Sequence, residues 1–386
     1  MKTQRQFKRL SATLAIVGLA AGLFACGSGG GGGGSSVTTG TTPTPVIPLL
    51  VSTYAATSLV VDAAPTPGYA NETTRQLDTN LVNAWGLAFN PAGFVWVADN
   101  GTSKSTLYDG NGVPQSLVVT LADGQAGPAK PTGIVFNGTQ DFKVSAAGLT
   151  GASPFIFAGE AGTISGWSPG VDLTHALTIV DNGASGAVYK GLANASFGGA
   201  NYIYAADFHN NRVDVFDASF NKASLPGSFT DPSIPAGYAP FGIQAIGDKI
   251  YVTYAKQDGD AHDDVAGAGL GLVNVFDSGG NLIKQLVTGG ALNAPWGVAL
   301  APADFGTFSG ALLVANFGDG KINVFDPVNG SLLGTLGSAD GLPIVIDGLW
   351  GIAFGNGING QPTNTLFFTA GPDDEAHGAY GRIDVK

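Results

Sequence analysis

Two short stretches concentrate the side chains that could do chemistry. Lys256-Gln257-Asp258-Gly259-Asp260-Ala261-His262-Asp263-Asp264 brings aspartates and a histidine together within nine residues. Asp-x-Asp with a glycine between offers the carboxylate oxygens that a hard cation such as Ca²⁺ takes. No Glu closes this loop at the distance a calcium loop uses, so a solvated acidic loop is the leading reading, with calcium as the one cofactor kept in view. The second stretch, Asp373-Asp374-Glu375-Ala376-His377-Gly378, sets carboxylates beside an imidazole, which they can orient and charge for proton transfer. The same residues can instead hold a turn through side-chain to backbone hydrogen bonds. A zinc site wants two or three histidines in fixed relation. His175 lies outside the loops, whereas His209, His262 and His377 fall in separate segments and could meet only around a common axis. There is no Gly-x-Ser-x-Gly elbow and no evident Ser/His/Asp set, so nucleophilic catalysis has no positive support.

What positions these residues is a repeat. A residue followed by Gly and two apolar or small residues opens a strand at Trp85-Gly86-Leu87-Ala88, Thr132-Gly133-Ile134-Val135, Lys190-Gly191-Leu192-Ala193, Phe241-Gly242-Ile243-Gln244, Trp296-Gly297-Val298-Ala299 and Trp350-Gly351-Ile352-Ala353. A β-rich run follows each marker, for example Val95–Asp99, Tyr202–Asp207 and Leu312–Asn316. A third run alternates apolar and polar residues and commonly closes on Phe-Asp, as in Arg212–Asp217, Leu272–Asp277 and Lys321–Asp326. A weaker fourth strand is expected in five units. The sixth unit ends at Lys386 just after its third strand, which leaves an open sheet edge. The β-branched run Tyr54–Val61 is the candidate to pair beside Arg382–Val385 and close the ring. The expected fold is therefore all-β: a six-bladed β-propeller of four-stranded antiparallel blades, completed by a strand from about residue 54 to 61.

The succession Gly-Ile-Ala, Tyr-Val-Ala-Asp and Arg-Val-x-Val-Phe-Asp resembles NHL-type propeller repeats. The resemblance spans roughly residues 53–386 and is clearest in the units starting at Gly191, Gly242 and Gly297. Asn80–Phe89 (NLVNAWGLAF) and Ala370–Gly378 (AGPDDEAHG) are similar to a family of exported bacterial propellers whose biochemical role is unassigned. The resemblance implies a fold and supplies no reaction.

The N-terminal side reads differently. Lys2, Arg5, Lys8 and Arg9 precede an apolar run over residues 10–25 that stops at Cys26, the only cysteine. The run is short for a membrane span, which needs about 20 residues. It has the anatomy of an export signal, and Leu23-Phe24-Ala25-Cys26 resembles the lipobox of bacterial lipoproteins, which implies acylation of Cys26. Residues 1–25 are thus expected to be a signal peptide. Residues 26–48, rich in Gly, Ser, Thr and Pro, should form a flexible tether, and residues 49–386 a single propeller domain. Gly27 in place of Asp after the cysteine favours an outer over an inner membrane.

Composition bounds the partners. The 386 residues carry a formal charge of −12 with only 12% charged side chains, against 60 glycines and 44% hydrophobic residues. Such a chain buries a substantial core in short strands and tight turns, and it lacks the clustered Lys and Arg that nucleic acid requires.

In a four-stranded meander, the loop into the first strand and the loop between the second and third open on one face. That face should gather Asp99, Asn100, Glu160, Asp207, His209 and Asn210. It should also gather Asp258, Asp260, His262, Asp263, Asp264, Asn316, Asp319, Asp373, Asp374, Glu375 and His377, with Trp85, Trp296 and Trp350 at the channel mouth or packed between blades. The leading functional reading is a lipid-anchored cell-envelope module that binds a protein, glycan or small molecule through this upper face. The alternative is a metal-dependent hydrolase or lyase resembling six-bladed lactonases, in which Glu160, Asn210, Asn316 and Asp373 match the metal-holding residue types but not their spacing. Fold alone does not choose between them.

Overall fold

The computed structural model describes residues 52–64 and 75–386. The expected signal peptide, the tether and Cys26 lie outside the described residues. Among the described residues no helix is long and apolar enough to cross a membrane.

The fold is all-β and propeller-like, a succession of small antiparallel sheets. Each marker sequence opens a strand that pairs with the β-rich run after it. Ala84–Phe89 pairs with Val95–Asp99, then Lys104–Tyr108, then Val119–Leu121. Pro131–Phe136 pairs with Phe155–Gly159, which continues to Thr163–Trp167 and His175–Asp181. These two groups share an edge, because His175–Asp181 runs parallel to Val119–Leu121 and merges them into one eight-stranded sheet. Four-stranded sheets start at Tyr238–Ile246 and Pro295–Leu300.

The last sheet carries the expected closure. Leu349–Phe354, Leu366–Ala370 and Ala379–Val385 are joined by Tyr54–Val61, which lies antiparallel to Ala379–Val385 from Tyr54 opposite Val385 to Val61 opposite Ala379. Gln76–Leu77 adds a short parallel strand outside it.

Two features depart from the repeat. The sheet of Tyr189–Phe197, Ala200–Asp207 and Arg212–Asp217 has three strands. Its expected fourth strand begins with a bridge between Phe216 and Lys222 and a bond from Ala223 N to Val215 O, then leaves the ladder. Pro226, Pro232 and Pro235 follow, and proline cannot donate to a ladder. The second departure is an added hairpin, Lys143–Ala146 with Leu149–Ala152, in the unit that starts at Pro131.

The marker glycine explains how the first strands pack. A Cβ on Gly86 would meet Thr132 O, one on Gly133 would meet Leu192 N, and one on Gly191 would meet Phe241 O. The series continues from Gly242 to Trp296 O, from Gly297 to Trp350 O, and from Gly351 back to Trp85 O. Each first strand therefore presses its glycine against the backbone of the next, and the cycle closes. Only a residue without Cβ permits that approach.

Between the sheets lie apolar layers. Trp96, Leu107, Ile134, Phe155 and Phe157 share one, and Leu192, Ile203, Val135 and Ile156 share the next. Burying each such side chain stabilises the fold by about 1.5–3 kcal/mol relative to exposure.

Candidate functional site

The residue before each marker glycine sits where the ladder slips. Register shifts fall between Ala84 and Leu87, Tyr189 and Gly191, Pro240 and Ile243, Pro295 and Val298, and Leu349 and Ile352. Bulges re-aim a side chain, and here they gather the marker residues into one cluster. Trp85 and Trp350 stack with ring centroids 3.5 Å apart, and Trp296 meets both edge-on at 6.0 and 5.9 Å. Phe241 packs against the same pair, and Phe317 stacks on Trp350 at 4.0 Å. Trp85, Trp296 and Trp350 thus pack against one another in a single cluster.

The odd member of the series is Lys190. Its side chain is 2% exposed, and its Nζ stands 5.1 Å from the centroid of Trp85. Nζ donates to Glu160 Oε1 and, at 3.2 Å, to Asp263 Oδ1. Trp296 Nε1 donates to the Lys190 carbonyl at 2.8 Å and fixes its backbone. Asp263 also accepts from His262 Nδ1 at 2.9 Å when that nitrogen carries the proton. Glu160 is further held by Asn100 Nδ2 at 3.1 Å and by the more exposed Lys130 Nζ at 3.6 Å. Asn100 in turn accepts from Asn83, whose own oxygen accepts the Trp350 indole N–H. A continuous polar path therefore runs from Trp350 through Asn83, Asn100, Glu160 and Lys190 to Asp263 and His262.

Burial and mutual charge set the protonation of this cluster. Burial opposes the Lys190 charge, but Glu160 and Asp263 overcome it and hold its pKa above the usual lysine range. Burial likewise pushes Glu160 up, and Lys190 and Lys130 win, leaving its carboxyl below the usual range. The bond from His262 holds Asp263 low, and the same bond raises His262. Two further carboxyls face an environment short of positive charge. Burial pushes Asp264 up to about 7, against the pull of Lys190. Glu375 is pushed up to about 7 by burial and by Glu160. Asp264 Oδ2 and Trp85 Nε1 are buried without a hydrogen-bond partner.

The other expected residues are placed elsewhere on the scaffold. Asp99, Asp207 and Asn316 each end a second strand and are fully buried. Asp99 accepts from Thr106, and burial raises its pKa well above the ordinary value. Asp207 accepts from Val188 N and from Asn210. Asn316 donates to Ala291 O and Asp319, and Asp319 pairs with Lys321. Asp258 shapes its own loop, accepting from the backbone N–H groups of Asp260 and His262. Asp373, Asp374 and Glu375 form a left-handed turn with φ of 57°, 52° and 66°. That conformation is costly for residues with a Cβ. His377 pairs with Asp62 at 3.0 Å, just past the closing strand, and His209 is exposed.

Each histidine therefore serves its own neighbourhood. Glu160, Asn210, Asn316 and Asp373 likewise have separate partners: Lys190, Asp207, Asp319 and Asp347. What does come together is Glu160, His262 and Asp263, whose ligand-type atoms lie within 4.8 Å of one another. Glu160, His262, Asp263, Asp264 and Glu375 are all among the residues expected on this face, whereas Lys190 and Lys130 are not. A signal for Lys190 did exist: it is the only charged residue at a marker position held elsewhere by Trp, Phe or Thr.

No family model matches the sequence. Two curated relatives come from Acanthamoeba polyphaga mimivirus. Uncharacterized protein R648 is 34% identical over 313 residues, covering 79% of this chain and 76% of the relative. Uncharacterized protein L690 is 33% identical over 317 residues, covering 79% and 81%. Among solved structures, a protein of unknown function from Bacteroides thetaiotaomicron aligns over 87% of this chain and 76% of its own, with a TM-score of 0.53 and 10% identity. A catalytically inactive virginiamycin B lyase from Staphylococcus aureus, solved with quinupristin, aligns over 87% and 100%, with a TM-score of 0.50 and 14% identity. At such identities the likeness is one of fold.

Proposed function

This chain belongs to the protein family of mimivirus R648 and L690, and from that premise we propose that it is a binding module built on a six-bladed, NHL-type propeller. The blade count draws support from the closed cycle of marker glycines and from the pairing of Tyr54–Val61 with Ala379–Val385. The proposal includes export directed by residues 1–25 and anchoring to a membrane of the cell envelope through acylated Cys26, an outer membrane being favoured. The observation that carries the binding reading is the mouth itself. Charged groups from separate sheets meet above an aromatic floor, on the face where the second-to-third-strand turns open. A recognition surface of this kind suits a protein, glycan or small-molecule partner.

The test is retention of envelope components by the full chain, by a mouth variant, Glu375→Gln, and by Asn281→Ala in a turn between the third and fourth strands of another sheet. Species retained by the wild type and by Asn281→Ala but lost by Glu375→Gln are expected. Retention unaffected by the mouth substitution would count against the reading.

A second reading, a metal-dependent hydrolase or lyase, finds its donor types in the approach of Glu160, His262 and Asp263, and would require the ion to displace Lys190 Nζ from two of them. Carboxylate and imidazole are the donors a catalytic divalent ion takes.

A further inference from the structure

Carboxylates and a histidine grouped around one point suggest a cation, and the identity of that cation can be read from the side chains around it. Glu160, His262 and Asp263 bring their ligand-type atoms within 4.8 Å of one another. Two of the three, Glu160 and Asp263, already receive the same donor, Lys190 Nζ. That ammonium is 2% exposed, lies over the Trp85 ring at 5.1 Å, and is carried on a backbone pinned by Trp296. An ammonium between two carboxylates and against an aromatic face is satisfied on every side: Coulombic attraction, charge-assisted hydrogen bonds and a cation–π contact act together.

We propose that the mouth is an ammonium site filled in cis. Lys190 Nζ is the resident cation of the Glu160, His262 and Asp263 cluster, and the chain needs no divalent metal at this point. A metal ion seated there would share its Glu160 and Asp263 ligands with the buried Lys190 ammonium, and the two cations would repel. The position of Lys190 in the repeat supports the assignment. Of its five equivalents, Trp85, Phe241, Trp296 and Trp350 are aromatic and Thr132 is a neutral hydroxyl, so this one unit sends a cation where four of the others send rings. The ligand class the pocket selects is accordingly a primary alkylammonium, and a divalent ion becomes competitive only when the lysine is removed.

The test uses the full chain. Wild type, Lys190→Ala and Lys190→Met are titrated calorimetrically with Ca²⁺, Mg²⁺ and Zn²⁺, and their melting is followed with and without n-butylammonium, with n-butanol as the uncharged control. Wild type should show no saturable metal uptake at millimolar concentration. Lys190→Ala should melt lower and regain at least half of the loss with n-butylammonium but not with n-butanol. If Lys190→Ala does not fold, Lys190→Met, which keeps an apolar stem, should take up a divalent ion that wild type does not. Micromolar metal binding by wild type overturns the proposal. So does a folded Lys190→Ala that gains nothing from n-butylammonium, or a folded Lys190→Met with no metal uptake when the alanine variant is lost.

Discussion

The protonation of single side chains at the mouth has a consequence that can be measured. Asp264 and Glu375 are pushed up to about 7, mainly by burial, whereas an unfolded chain releases carboxyl protons near pH 4. Between those values the folded state holds protons that the unfolded state has lost, so these two groups make stability fall as pH rises from about 4 to 7 and then level off. Partial solvent access limits the effect to about 1 kcal/mol per group. Lys190 adds nothing to this slope, because its raised pKa keeps it charged throughout; its stabilisation is lost only in strong alkali. Asp264→Asn should flatten the decline seen by chemical denaturation between pH 4.5 and 7.5, and an unchanged slope would remove Asp264 as its source. At this scale the sequence was partly readable. Acidic loop residues such as Glu160 and Glu375 stand out by type and position. Lys190 does not, because its place in the repeat reads as packing until the bulge turns that place toward the mouth.

At the scale of the element, the strand-opening glycine matters more than the aromatic before it. The six markers and the alternating third strands announce the sheets, and a period-two pattern fixes which face is buried. Close approach between successive first strands is not visible in such a pattern, since it depends on which backbone lies opposite. A Cβ at Gly242 would overlap Trp296 O, whereas one at Gly259 meets nothing within 4 Å. Gly242→Ala should therefore destabilise the protein by about 2–4 kcal/mol, and Gly259→Ala should stay within about 0.5 kcal/mol of wild type. Equal effects in urea unfolding would refute the packing argument. The three-stranded sheet marks another limit of the pattern. The run after Asp217 is apolar enough to suggest a fourth strand, yet Pro226, Pro232 and Pro235 end the ladder at Ala223.

For the whole molecule, the pairing of Tyr54–Val61 with the last sheet was legible because that β-branched run belongs to none of the six marker units. The pairing places the first described residues beside the last, with Tyr54 opposite Val385 and Lys386 N bonded to Thr53 O. His377, for which the sequence leaves both a proton-transfer and a turn-holding role open, ties the last turn to Asp62 next to that strand. The mouth has the same character, since Glu160 and Lys190 belong to different sheets and meet only if those two sheets are arranged side by side. A double-mutant cycle with Glu160→Gln and Lys190→Met, read by chemical denaturation, tests that arrangement most directly. Removing one partner of a buried pair leaves the other charge uncompensated, so each single variant should be costly and the two should couple by about 2–4 kcal/mol. Additivity of the two substitutions to within about 0.5 kcal/mol would contradict the account.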